Sequence, residues 1–205
     1  MNDNKEKLIA CARKEFLEKG FEKASLRKIC TEAGLTTGAV YFFFQDKNGL
    51  FGAVVEEPVR KIKEILLRHF ESENQAEFAE YQHTDGDHDD FAEELIPVLY
   101  QHYDAVLILL TKAQGSEYEN FLDSLIDVIE QQYQKIAEIY ASLHPDKMIN
   151  EYILHWFVHL HLNAFTHLIT HEPDEQKALT LIKPIMNYLV QGWLDLILTD
   201  CPRKD

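Results

Sequence analysis

The residues of this chain best suited by type and spacing to chemistry are Thr36, Thr37, Gly38 and Tyr41, with Ser25 and Arg27 before them and Lys47 after. Two adjacent hydroxyls that open a helix stand beside the unpaired backbone N–H groups of its first turn. The helix dipole favours an anion there. Gly38 allows another backbone to come close, Tyr41 adds a phenolic donor one turn on, and Arg27 and Lys47 add cations. The chemistry this set offers is recognition of phosphate. Phe42 adds an apolar surface that can pack on a thymine methyl. No nucleophile–base constellation, Gly-rich phosphate loop or metal-hydrolase motif accompanies it, so an enzyme is not expected.

Two short helices must position these groups. Ser25 caps the first, whose apolar positions are Leu26, Ile29, Cys30 and Ala33. Gly34 suits a turn with a left-handed backbone. Leu35 returns to the core. Thr36 caps the second helix, with Val40 and Phe44 four apart on its buried side. Thr37, Gly38, Tyr41, Phe42 and Phe43 are left for an outward surface. This is the division of labour of a helix-turn-helix.

Ile9, Ala12 and Phe16 form an upstream apolar face ended by Gly20-Phe21. SLRKIC follows at 25–30 and EAGLTTGAVYFFF at 32–44, then Lys47 with Leu50 and Phe51. In this order the first fifty or so residues resemble the DNA-binding domain of the TetR family of bacterial transcriptional regulators. The resemblance implies phosphate contacts for Tyr41 and Lys47, and it implies a homodimer whose last two long helices pair as a four-helix bundle. Trp156, Ile185, Leu189, Gly192 and Trp193 are the expected interface. It also implies an effector site on the middle helices, for which Tyr103, Tyr133, Trp156 and His159 are the candidates. The chain departs from the family at Thr37, often lysine or arginine, and at Phe42 and Phe43, which lack hydrogen-bonding groups.

The net charge of −15 is unevenly placed. Residues 1–54 carry nine Lys/Arg and seven Asp/Glu; residues 55–205 carry eleven and twenty-eight. A slightly basic head on an acidic body fits one-sided contact with DNA. So few cations in the body favour an effector that is mostly apolar or aromatic over an extended anion. No apolar run approaches the roughly 20 residues that cross a bilayer. MNDNKEK offers no apolar signal core, so a cytoplasmic location is expected.

Glycine and proline are scarce, at 8 and 6, and no segment alternates at period two, so the chain reads as all-α. Asp46 caps a fourth helix. Further helices are expected near 91–113, 116–143, 147–171 and 174–199. The stretch 71–90, ending HTDGDHDD, lacks an EF-hand register and reads as a solvated loop. Gly192 is expected to admit a neighbouring backbone. His155/His159 and His167/His171 have the i,i+4 spacing that can place two imidazoles on one metal. Without a Cys/His cluster, neither metal nor cofactor is expected. The expected organisation is a helix-turn-helix domain at 1–50 and an effector-binding and dimerisation domain at 51–205. The expected function is a DNA-binding regulator, a repressor released from a near-palindromic operator by a small molecule. The alternative is an interaction protein of the same fold that uses DNA as a platform or answers to a protein partner.

Overall fold

Apolar residues at three- and four-residue spacing dominate the chain, and the computed structural model, which describes residues 2–75 and 87–201, forms ten helices among them. They are α1 (Asn2–Lys23), α2 (Leu26–Glu32), α3 (Thr37–Phe44), α4 (Lys47–Gln75), α5 (Asp87–Gln101), α6 (Tyr103–Thr111), α7 (Phe121–Leu143), α8 (Glu151–His171), α9 (Glu175–Val190) and α10 (Trp193–Ile197). Of the expected loop at 71–90, residues 76–86 lie outside the described residues, while 71–75 end α4 and 87–90 open α5. No described helix is long and apolar enough to cross a membrane.

The chain divides into two compact units, Met1–Leu67 with Pro97–Leu122, and Arg68–Ile96 with Asp123–Asp205. This packing division does not follow the boundary at residue 50 expected from function. In the first unit, Leu8, Ala12 and Phe16 of α1 are fully buried. Leu8, not Ile9, leads that face; Ile9 is half-buried. Phe16 and Phe21 meet Phe51 edge-on at 5.0 and 5.3 Å between ring centres. Gly20 breaks α1 at φ 73°, which frees the Phe21 N–H to donate to the Lys112 carbonyl at 2.9 Å. The loop after α6 also holds the start of α4: the Glu117 N–H donates to Asn48 Oδ1 at 3.1 Å, and Tyr118 packs beside Phe51.

The second unit is built on α7, α8 and α9. Asn150 and Asp174 cap α8 and α9, their side chains accepting from the Ile153 and Lys177 N–H groups. Ala178, Ile182, Met186 and Leu189 form the buried stripe of α9. An aromatic cluster fills the interior, with Tyr133 5.0 Å from Trp193 and Phe157 stacked on Trp193 at 5.8 Å.

The sequence reading also differs from this structure in the last helices. The expected helix at 174–199 stops after Val190, because Gly192 takes φ 79° and starts the separate α10. Within this chain nothing lies within 4 Å of where a Gly192 Cβ would stand, and this glycine serves a left-handed turn. The all-α expectation holds, with one short β-ribbon beside the helices. β1 (Lys147–Ile149) and β2 (Leu198–Asp200) pair antiparallel, with Lys147 opposite Asp200 and an ion pair of 2.6 Å between them. Three-residue strands are too short to show alternation in sequence. Leu189 and Trp193, expected at the dimer interface, are only 8% and 4% exposed, both buried in this chain's own core. Trp156 and Ile185, expected at the same interface, are exposed, as are Tyr152, Leu181, Tyr188 and Leu196.

Candidate nucleic-acid interface

α2 and α3 form the helix-turn-helix, and each local choice has a visible cause. The Ser25 hydroxyl accepts from the Lys28 N–H at 3.3 Å and starts α2. Gly34, at φ 69°, lets the Leu35 N–H reach back to the Cys30 carbonyl at 2.8 Å and close the turn. Thr36 occupies the cap position of α3 in extended backbone, but its hydroxyl makes no capping bond. It is an exposed donor and acceptor at the mouth of the helix. Val40 and Phe44 are 0% and 7% exposed, while Tyr41 and Phe42 are 60% and 70% exposed. Thr37 and Gly38 are exposed and Phe43 is half-buried, its ring edge-on to Phe42 at 5.0 Å. The outward set Thr36, Thr37, Gly38, Tyr41 and Phe42 is therefore one continuous face. Ser25 and Arg27 are exposed on α2.

Lys47 is held differently. Its amine donates to the Glu22 carbonyl at 3.1 Å and lies 4.8 Å above the Phe21 ring. Burial pushes its pKa below the usual lysine range, against the pull of Glu15 and Glu22. One of its three N–H donors thus ties the start of α4 to the end of α1.

Two features that hold the face in place are not apparent in the reading of motifs. Gly49 is the first. Asp46 caps α4 by accepting the Gly49 N–H at 2.9 Å, and the Phe44 carbonyl accepts the Asp46 N–H at 2.9 Å. A Cβ on Gly49 would stand 1.9 Å from that same carbonyl oxygen. Gln45, between them, has φ 71°, a strained value for a residue with a side chain. A glycine inside a helical pattern was the available signal. The second feature is Glu15, which is 3% exposed. It accepts the Ser25 N–H at 3.2 Å and pairs with the Lys28 amine at 2.6 Å. Burial alone would raise the Glu15 pKa, but Lys28 and the Ser25 N–H outweigh it and hold it below the ordinary 4.5.

A lowered carboxyl pKa contributes stability above the unfolded value and loses it as pH falls through the folded value. The head should therefore lose stability on the acid side, beginning below about pH 4.5. Lys28→Ala should lower the melting temperature by several degrees at pH 7, and Glu15→Gln should flatten the acid limb. Thermal unfolding followed by circular dichroism from pH 3 to 7 checks both. A Glu15→Gln acid limb as steep as the wild type's would remove Glu15 from this role.

The effector candidates fall in both units, three in the second and one in the first. Tyr133 lies in the aromatic cluster of the second unit, 5.6 Å from and stacked on His161. Trp156 is 50% exposed and His159 is exposed on α8. Tyr103 belongs to the first unit, stacked on Tyr100 at 5.4 Å.

The pair α2 and α3, with one side of α3 buried and the other outward, has the arrangement of a helix-turn-helix. Residues 8–54 match the model for "Bacterial regulatory proteins, tetR family". The chain is 33% identical over 66 residues to the HTH-type transcriptional repressor BepR of Brucella suis biovar 1 (strain 1330), covering 32% of each chain. It is 34% identical over 65 residues to the HTH-type transcriptional regulator BetI of Stenotrophomonas maltophilia (strain R551-3), covering 32% of this chain and 33% of that one. These matches span about a third of the length of the curated relatives. Over nearly the whole chain the fold is similar to solved structures. A TetR-like transcriptional regulator from Rhodococcus sp. RHA1 aligns with TM-score 0.63 and 16% identity over 94% of this chain and 96% of that one. A transcriptional regulator (TerR/AcrR family) from Aquifex aeolicus VF5 aligns with TM-score 0.58 and 21% identity over 91% and 99%. Residues 8–54 are thus similar to the N-terminal segment of these regulators, on a chain whose all-α fold is that of the solved structures.

Proposed function

We propose that this protein is a homodimeric, DNA-binding transcriptional repressor. The observation that carries the reading is the exposed face Thr36–Thr37–Gly38–Tyr41–Phe42 on a helix whose opposite side is locked into the head. Thr36 and Thr37, with the free N–H groups of the first turn of α3, would meet phosphate oxygens, and Tyr41 and Arg27 would add flanking contacts. Phe42 would read thymine methyls in the major groove, a code of shape and apolar contact. Lys47 would contribute only with the donors left after its bond to Glu22.

Two heads are needed for a near-palindromic operator. The second copy would sit on the exposed stripe of α8 and α9, formed by Tyr152, Trp156, Leu181, Ile185 and Tyr188. Release by a small-molecule effector belongs to the same proposal. The effector must bind the DNA-competent and released states with different affinity. Of the four candidates, Tyr133 has the surroundings such a ligand favours, beside Phe157, His161 and Trp193. An apolar or aromatic effector would part that cluster.

Fluorescence anisotropy with a duplex selected from genomic DNA tests the face. Tyr41→Phe should weaken binding on all sequences alike. Arg27→Ala should also lower the salt slope by about one ion. Phe42→Ala should relax discrimination at an A·T position by about 1–3 kcal/mol. Unchanged affinity in all three variants would remove α3 as the DNA-facing element.

A further inference from the structure

α8 carries two histidine pairs, each spanning one turn, and they are built differently. His167 and His171 stack nearly parallel, centres 4.0 Å apart at 23°, and His171 Nδ1 lies 2.8 Å from the His167 carbonyl. His155 and His159 instead stand at 75° to one another, and their Nε2 atoms approach to 3.0 Å. Behind them, His155 Nδ1 lies 2.7 Å from Glu130 Oε2 on α7. With Nδ1–H donated to that carboxylate, the neutral His155 ring accepts the His159 Nε2–H at its own Nε2, a hydrogen bond that an ion replaces once His159 carries its proton on Nδ1.

We propose that His155 and His159 form a two-histidine site for a divalent first-row transition ion, with Glu130 orienting His155 from behind. Two imidazole nitrogens bound at 2.0–2.1 Å in a tetrahedral shell stand roughly 3.3 Å apart. The present separation is about 0.3 Å shorter, within the reach of small side-chain rotations. A carboxylate on the far nitrogen of a ligating histidine is the arrangement that fixes tautomer and raises ligand basicity. In the single chain the site is open, with the His155 side chain 51% exposed. Asp127, Glu130 and Glu151 border a surface depression that adds negative charge. Among the described residues, no group of three His, Cys, Asp or Glu side chains is placed to hold a metal ion. The ion's remaining positions are therefore filled by water. Imidazole donors select zinc, nickel or copper over magnesium and calcium. The site does not depend on the DNA-binding reading.

Zinc titration by calorimetry on the full chain without an affinity tag tests the site, with the absorption spectrum of added cobalt as a second readout. One zinc per chain is expected, uncontested by millimolar magnesium. His159→Gln should weaken it at least tenfold, and Glu130→Gln by about 10–100-fold with an altered cobalt spectrum. The pair His167→Gln with His171→Gln should leave both readouts unchanged. Far-ultraviolet circular dichroism confirms that each variant is folded. Wild type that binds zinc no more tightly than the double variant His155→Gln with His159→Gln would overturn the proposal. So would loss of binding only in the His167/His171 variant. An unaltered Glu130→Gln would remove the orienting role of Glu130.

Discussion

Gly49→Ala should abolish DNA binding and destabilise the head by an amount at the upper end of single substitutions, on the order of 3–4 kcal/mol. The added methyl would stand 1.9 Å from the Phe44 carbonyl oxygen, about half a normal contact distance. The obstructing atom is backbone, so no rotamer change relieves it. Either α3 or α4 must move, and the Asp46 cap to the Gly49 N–H at 2.9 Å then fails as well. Gln45 already holds positive φ in the same turn and has little slack. Gly38→Ala provides the contrast. Its Cβ would meet only the Thr36 hydroxyl at 3.6 Å, so the fold should survive while close approach to DNA is hindered. Differential scanning calorimetry with anisotropy on both variants measures this. A Gly49→Ala protein with wild-type melting and binding would mean that the α3–α4 junction is not built as described.

If the chain dimerises as proposed, the combined change Trp156→Asp with Tyr188→Asp should yield monomers and cost about 100-fold or more in operator affinity, ~2.7 kcal/mol. Both side chains are exposed, Trp156 at 50% and Tyr188 at 80%, so the folded chain tolerates the charges. A second copy would bury them unpaired. Leu189→Asp should behave differently. It places a charge in the chain's own core and should lower the melting temperature sharply, whatever the state of association. Sedimentation velocity separates the two outcomes. Dimers that persist in the double variant would move the interface off α8 and α9.

The head was legible because its signals are local. Ser25, Gly34 and Thr36 sit at the positions where a cap, a left-handed turn and a second helix start are required. Val40 and Phe44 mark the buried side by spacing alone. What was missed depends on contacts between one element and another. The role of Gly49 comes from a carbonyl in the preceding helix, and that of Glu15 from Lys28 on another helix. Leu189 and Trp193 read equally well as interface or as core, because an apolar stripe does not say which apolar surface covers it. Tyr133 and Phe157 turn out to cover Trp193. The break at Gly192 was hidden because a glycine in a helical pattern fits either close packing or a turn. The aromatics of the middle helices, read together as one effector group, are dispersed between core and surface.

The central claim is that the α3 face selects particular DNA. Selection and sequencing of genomic fragments bound by the purified full-length protein tests it most directly, run in parallel with Thr37→Ala and Phe42→Ala proteins. The account predicts enrichment of one near-palindromic site with half-sites about one helical turn apart, and an altered base preference within the half-site for both variants. Fragments enriched without any shared site, or the same site recovered unchanged by both variants, would contradict it.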